Sequence, residues 1–361
     1  MSDRYMFHKK NMIRLFCLIA ALIGICSCAF AENTDEHFET TENGIVFEEG
    51  ILNFEGFSSA IPERMQGPAD ISACAVSKET LIAILKAYPE TRIRFMLEPY
   101  GVIVDTADEL LVLDGITVTD LEPLKEIVPY LKNLREIDMC GCGIDDETMD
   151  ALRTLLNPVK VVWTVDLRHW QLRTDATHFA TWDYAVDEDG YIYTAKNVTK
   201  NTSKSLEPLK YCTELVALDL GHNKVTDISF LAGLKNLKYL IIALNEIKDI
   251  SPLSGLTELK YLEIFNNEIS DITPLAKLPK LEALYMTAIP VKDISCLYGS
   301  KTLKLLYLEG FRFDNTARKE IGAALLNCNV IYRKPDTNGS RAWRIHPYYK
   351  EMRRALGWRV D

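Results

Sequence analysis

The sequence predicts an α/β solenoid, with short parallel strands on a concave face and short 3₁₀ or α segments on the convex face. Three observations predict it. A leucine recurs every 22 residues at Leu215, Leu237, Leu259, Leu281 and Leu303. Within each unit the apolar residues alternate with a period of two over the length of a short strand. A longer, helix-bearing version of the same pattern precedes the regular units. One unit cannot bury its apolar face alone, so the stack is the cooperative entity.

The chain has 361 residues, 48% of them hydrophobic and 25% charged, as in an ordinary folded protein, and a formal net charge of -10. An acidic chain lacks the basic footprint that phosphate neutralisation requires, so no nucleic-acid partner is expected. Residues 1–31 read as an export signal: Lys9, Lys10 and Arg14 precede an apolar run from Leu15 that closes on Ala29-Phe30-Ala31. Removing this segment, which holds Arg4 besides those three and one acid, Asp3, takes the charge from -10 to -13. Ile25-Cys26-Ser27-Cys28 loosely resembles a lipobox, which leaves a lipid anchor at Cys28 as an alternative to cleavage. Membrane attachment is expected only through these routes. Residues 32–74 follow as a flexible acidic lead and N-terminal segment.

Residues 75–167 read as irregular, longer repeats. Glu79-Thr80-Leu81 through Ile93–Leu97 parallels Glu147-Thr148-Met149 through Val161–Val165, helix then strand. Leu121-Glu122-Pro123-Leu124-Lys125 recurs as Leu206-Glu207-Pro208-Leu209-Lys210, each copy leading into a strand. Residues 168–204, rich in aromatics such as Trp170, Trp182, Tyr184, Tyr191 and Tyr193, read as an irregular insert.

The regular units occupy residues 205–308. Their fourth positions are Leu218, Leu240, Leu262, Leu284 and Leu306; their sixth are Leu220, Ile242, Ile264, Met286 and Leu308. On a strand these two positions face one way, and positions three, five and seven face the other. The ninth position is Asn223, Asn245 and Asn267, whose amides can serve the otherwise unpaired backbone of a bend. An Asp-Ile pair follows in each unit, at Asp227, Asp249, Asp271 and Asp293, and Pro252 and Pro274 fix a return too short for a full α-helix. Leu134, Ile137, Met139, Cys142 and Ile144 fit the same template, with Cys in place of Asn. Residues 309–335 read as a C-terminal cap, a helix from Thr316 and a closing strand at Val330–Tyr332.

This pattern resembles the leucine-rich repeat family, and the 22-residue period with its Asp-Ile-x-Pro-Leu return is similar to the internalin type of bacterial surface proteins. That resemblance implies an exported solenoid that binds proteins with its concave face and performs no chemistry.

The residues point the same way. The sequence has no HExxH, no GxSxG, no phosphate-binding glycine loop and no clustered ligand spacing, so neither a metal nor a cofactor is expected. His169 and His178, with Asp175, are the nearest approach to a hydrolytic site in the insert, as a third reading. The six cysteines after the signal are sparse for a disulfide framework and are expected as free or buried thiols. Outward strand positions supply Asp219, Tyr239, Ile241, Tyr261, Glu263, Phe265, Tyr285 and Tyr307. Stacking sets these side by side about 4.8 Å apart, an aromatic and apolar stripe edged by acids. Solvent-facing aromatics in one patch mark a recognition surface, so these eight residues are the expected contact set for a protein ligand. Carbohydrate is the alternative, with rings stacking on sugars and Asp219, Glu263 and Glu309 accepting from hydroxyls. The tail, 336–361, is basic and aromatic, and is expected as a helix folding back over the end of the solenoid.

Overall fold

A computed structural model describes residues 68–72, 76–181, 200–332 and 347–357, together with the backbone of five short strand segments between residues 38 and 194. The expected export signal, with Cys28, lies outside the described residues. The chain divides into two compact units, Met1–Trp163 and Thr164–Asp361. Among the described residues no helix is long and apolar enough to cross a membrane.

In the first unit β1 (Phe38–Thr41), β2 (Gly44–Phe47), β3 (Leu52–Asn53), β4 (Ala69–Asp70), β5 (Ile93–Leu97) and β6 (Val102–Asp105) form one sheet in chain order. The lead expected between residues 32 and 74 therefore contributes four strands. Ile45-Val46-Phe47 supplies β-branched and aromatic residues where the acidic composition had suggested none. Helix α1 (Lys78–Ala87) links β4 to β5; Ser77 caps it by accepting from the Thr80 amide at 3.2 Å, and Leu81, Ile84 and Leu85 are buried. β5 and β6 are antiparallel, so the expected run of parallel repeats does not start at residue 75. The turn Glu98-Pro99-Tyr100-Gly101 reverses the chain, with Gly101 at φ +67° where a side chain would be strained. Parallel repeats begin with β7 (Leu110–Val112), β8 (Glu136–Asp138) and β9 (Lys160–Val162), joined by α2 (Glu122–Ile127) and α3 (Asp146–Leu155). Cys142 fills the Asn position there and donates its thiol to the Leu113 carbonyl at 3.1 Å; burial pushes that thiol up to about 11.

The second unit opens with the hairpin β10 (Thr164–Asp166) and β11 (Gln171–Arg173), followed by β12 (His178–Ala180) and the hairpin β13 (Tyr184–Val186) and β14 (Ile192–Thr194). After α4 (Ser203–Leu206) come β15 (Ala217–Asp219), β16 (Tyr239–Ile241), β17 (Tyr261–Glu263), β18 (Ala283–Tyr285) and β19 (Leu305–Tyr307). Helix α5 (Asn315–Ala324), capped by Asp314, and β20 (Asn329–Ile331) close the stack. Strands β12 and β15 to β20 make one parallel sheet, and Leu218, Leu240, Leu262, Leu284 and Leu306 align across it, none more than 1% exposed. The stretch 168–204 is thus not a single insert. Phe179 pairs in register with Leu218, and Asn201 lies one 22-residue period before Asn223, so these residues are a repeat interrupted after β12.

Two sets of polar contacts hold the turns of the solenoid, an Asn set at three of them and an Asp set at four. Asn245 donates to the carbonyls of Leu220 (2.9 Å) and Ile242 (3.1 Å) and accepts from the Val225 amide (3.0 Å). Asn267 repeats this on Ile242, Ile264 and Ile247, and Asn223 reaches Leu220 and Thr181 and accepts from Asn201. These amides satisfy backbone groups that would otherwise be orphaned in the core. On the return side Asp227, Asp249, Asp271 and Asp293 each accept from the backbone amide two residues on, at 2.7–2.8 Å, which opens each 3₁₀ turn.

Candidate functional site

The concave face of the second unit is built from strand positions three, five and seven. Position three gives Ala217, Tyr239, Tyr261, Ala283 and Leu305; position five gives Asp219, Ile241, Glu263, Tyr285 and Tyr307. These are the side chains expected to meet solvent. The structure brings them together as one stripe, but covers it. Helix α6 (Pro347–Ala355) lies on the stripe, and Tyr349, Met352 and Leu356 pack into one apolar cluster with Tyr239, Ile241, Ala243, Tyr261 and Tyr307. Asp219, Tyr239, Ile241, Tyr261, Glu263 and Tyr307 are buried; Phe265 and Tyr285 are partly buried beside them. The tail helix expected over the end of the solenoid lies on its concave face instead.

The reason is legible in the side chains. Tyr349, Met352 and Leu356 fall at i, i+3 and i+7, one face of a helix, with Arg354 exposed on the other. Pro347 supplies a favoured first residue. Gly357 ends the helix at φ +74°, where a Cβ would stand 3.2 Å from the His178 ring. That close approach fixes one end of the helix against β12. At the other end the Tyr348 hydroxyl donates to Glu282 at 2.9 Å, and Lys304 donates to the same carboxylate at 2.6 Å. Between them the Tyr239 hydroxyl donates to Glu351. The helix therefore crosses the sheet from the edge of β18 back to β12. A nine-residue helix is too short to persist alone in water, so its order depends on the face beneath it.

Electrostatics at the stripe follow burial. The Tyr261 hydroxyl donates to Glu263, and burial, then the Glu263 charge, holds Tyr261 well above the ordinary phenol value. Tyr239 is raised by burial and by its bond to Glu351. For Glu282 burial works upward, but the hydrogen bonds from Lys304 and Tyr348 outweigh it and lower the carboxyl below its usual value. The Asp219 carboxylate accepts from the Gly221 amide at 2.7 Å, and a Cβ at Gly221 would come within 3.0 Å of that oxygen. Phe265 packs on Tyr285 with the rings tilted by 60° at 4.7 Å between centroids, and Tyr285 meets Tyr307 edge to face at 5.1 Å.

The residues of the alternative readings have other neighbours. Asp175 is held by Arg173 at 3.0 Å, His178 faces Gly357, and His169 packs edge-on against Trp170. Among the described residues no group of His, Cys, Asp and Glu is arranged to hold a metal ion. Cys140, Cys142, Cys212, Cys296 and Cys328 are thiols rather than disulfides, and Cys328 is raised to about 11 by burial. Asn201 and Thr181, partners of Asn223, are the residues that sequence reasoning missed; the 22-residue step back from Asn223 was the signal for the first.

Residues 213–299 match the family model described as leucine-rich repeats (2 copies), in three overlapping windows at 213–255, 235–277 and 257–299. Among solved structures the chain is similar to an internalin C2 from Listeria monocytogenes, at 27% identity over 70% of this chain and 92% of that one, with a TM-score of 0.33. An internalin from the same organism, inlF, aligns at 19% identity over 70% and 74% of the two chains, with a TM-score of 0.32. The Arabidopsis receptor kinase HAESA, solved with the peptide hormone IDA and the co-receptor SERK1, aligns at 23% identity over 31% and 20%, with a TM-score of 0.27. A search of curated proteins gave no match. Leucine-rich repeats generally mediate protein recognition and are typically non-catalytic scaffolds.

Proposed function

We propose that this leucine-rich-repeat chain is an exported, non-catalytic binding protein whose concave face, β15 to β19, recognises a polypeptide. One observation carries the reading: the face already holds a polypeptide segment, α6, through an apolar stripe with tyrosine–carboxylate bonds at its rim. Such a surface combines an apolar centre with hydrogen-bonding edges, the layout of a protein interface. Sugar recognition is less well supported, because Tyr239, Tyr261 and Tyr307 offer no open ring face for stacking while they lie under the helix. Export rests on the apolar run at Leu15–Ala31 with its basic start.

The test is to pan the full chain against a displayed library of protein fragments, beside an Ile241→Arg variant and a variant of the exposed Lys292, Lys292→Glu, beside the return turn. Binders lost with Ile241→Arg and kept with Lys292→Glu support the concave face. Binders that ignore Ile241→Arg place recognition elsewhere.

A further inference from the structure

The helix on the concave face describes the ligand that the face would take. Its three buried side chains, Tyr349, Met352 and Leu356, follow helical spacing rather than the period of two of an added strand. The surface beneath spans several repeats, so a helix crossing the strands reads successive units, whereas a strand laid along one unit would not. The inner leucines of those repeats lie on the opposite face of the sheet and make their own core, so the repeats do not need the helix in order to stack.

We propose, resting on the concave-face reading above, that the ligand is an amphipathic α-helix presenting an aromatic, a thioether or aliphatic, and an aliphatic side chain at i, i+3 and i+7, and that α6 is its built-in competitor. The chemistry matches at both ends of the helix. A hydroxyl donor one residue before the aromatic anchor meets Glu282, and a small residue after the last anchor clears His178. A partner helix gains access in proportion to the fraction of molecules whose α6 is undocked, so the observed affinity falls by that fraction.

The experiment uses the full chain and a fluorescein-labelled peptide copying residues 345–361. Hydrogen exchange of residues 347–357 first establishes docking in the native chain and release in a Met352→Lys, Leu356→Lys double variant. Anisotropy titration should then show the peptide binding the double variant at least ~10-fold more tightly than the native chain, the factor expected if α6 is docked nine-tenths of the time. The same peptide carrying both lysines should not bind either protein. A Gly357→Val variant, which leaves the buried cluster intact and crowds His178, should tighten peptide binding over the native chain by a smaller factor, and serves if the double variant does not fold. Equal binding to native chain and variants, binding of the doubly charged peptide, or a released variant that binds no peptide overturns the proposal. Fast exchange of residues 347–357 in the native chain, or unchanged protection in the double variant, overturns it as well. If peptide binding fails while library binders still depend on Ile241, the helical ligand falls and the concave-face reading stands. If that dependence fails too, both fall. Dimers of the native chain that dissociate on adding peptide would identify the α6 of a second copy as the helix.

Discussion

Two stretches of parallel strand in this molecule have the same local geometry and opposite surroundings. In β7 and β8 the inner residues Leu111 and Ile137 are buried while the outward Leu110 and Val112 are about half exposed. In β16 and β17 every residue is buried, outward tyrosines and Glu263 included. The strands are equally short, and their inner faces are equally packed. What differs is α6. The repeat pattern therefore fixes which way a side chain points, and a segment remote in sequence fixes whether water reaches it.

Six substitutions test that comparison, beginning with the largest effect. Leu262→Ala removes an inner side chain with no exposed surface and should cost ~2–5 kcal/mol in urea unfolding, as should Ile137→Ala in the first unit. If either is near zero, the two inner faces are not equivalent. Asn245→Ala removes the contacts to the Leu220, Ile242 and Ala243 carbonyls, leaves the Val225 amide without its side-chain acceptor, and should cost ~1–3 kcal/mol. Leu110→Ser, on the uncovered face, should stay within about ±0.5 kcal/mol, whereas Ile241→Ser, under α6, should exceed that and raise hydrogen exchange in residues 347–357. Ala288→Gly should stabilise by ~0.5–1 kcal/mol, since Ala288 is exposed and sits at φ +50°.

Docking of α6 should also depend on pH at both extremes. Glu282 has a lowered folded value, so its contribution is present above the ordinary carboxylate range and is lost as pH falls through the folded value. Tyr239 and Tyr348 have raised folded values, so their contributions are complete below about 10 and are lost as pH rises through the folded values. Exchange protection of α6 should be flat between roughly pH 5 and 9 and fall on either side. In Glu282→Gln the acid limb should weaken.

Much of this was legible in the sequence because the repeat writes itself out every 22 residues. The inward leucines, the Asn positions and the closing helix and strand all follow from period and side-chain type. The repeat at β12 was hidden because residues between Thr181 and Asn201 break the period, so Phe179 pairs 39 residues ahead instead of 22. The β5–β6 hairpin was hidden because its strand half resembles the parallel copy at Val161, and only the Pro99-Tyr100-Gly101 turn sends it the other way. The covering of the candidate site was harder still. Tyr349, Met352 and Leu356 announce an amphipathic helix, but periodicity carries no address. The outward Tyr239 and Tyr261 look the same to sequence reasoning whether water or a helix lies above them.

The central claim is that α6 covers the concave stripe, and hydroxyl-radical footprinting reads it most directly. In the native chain Tyr239, Tyr261, Tyr307 and Met352 should be protected while Leu110 and Val112 are modified; in the Met352→Lys, Leu356→Lys variant the three tyrosines should gain modification severalfold and Leu110 and Val112 should not change. Tyrosines already modified in the native chain as readily as in the variant would contradict the account.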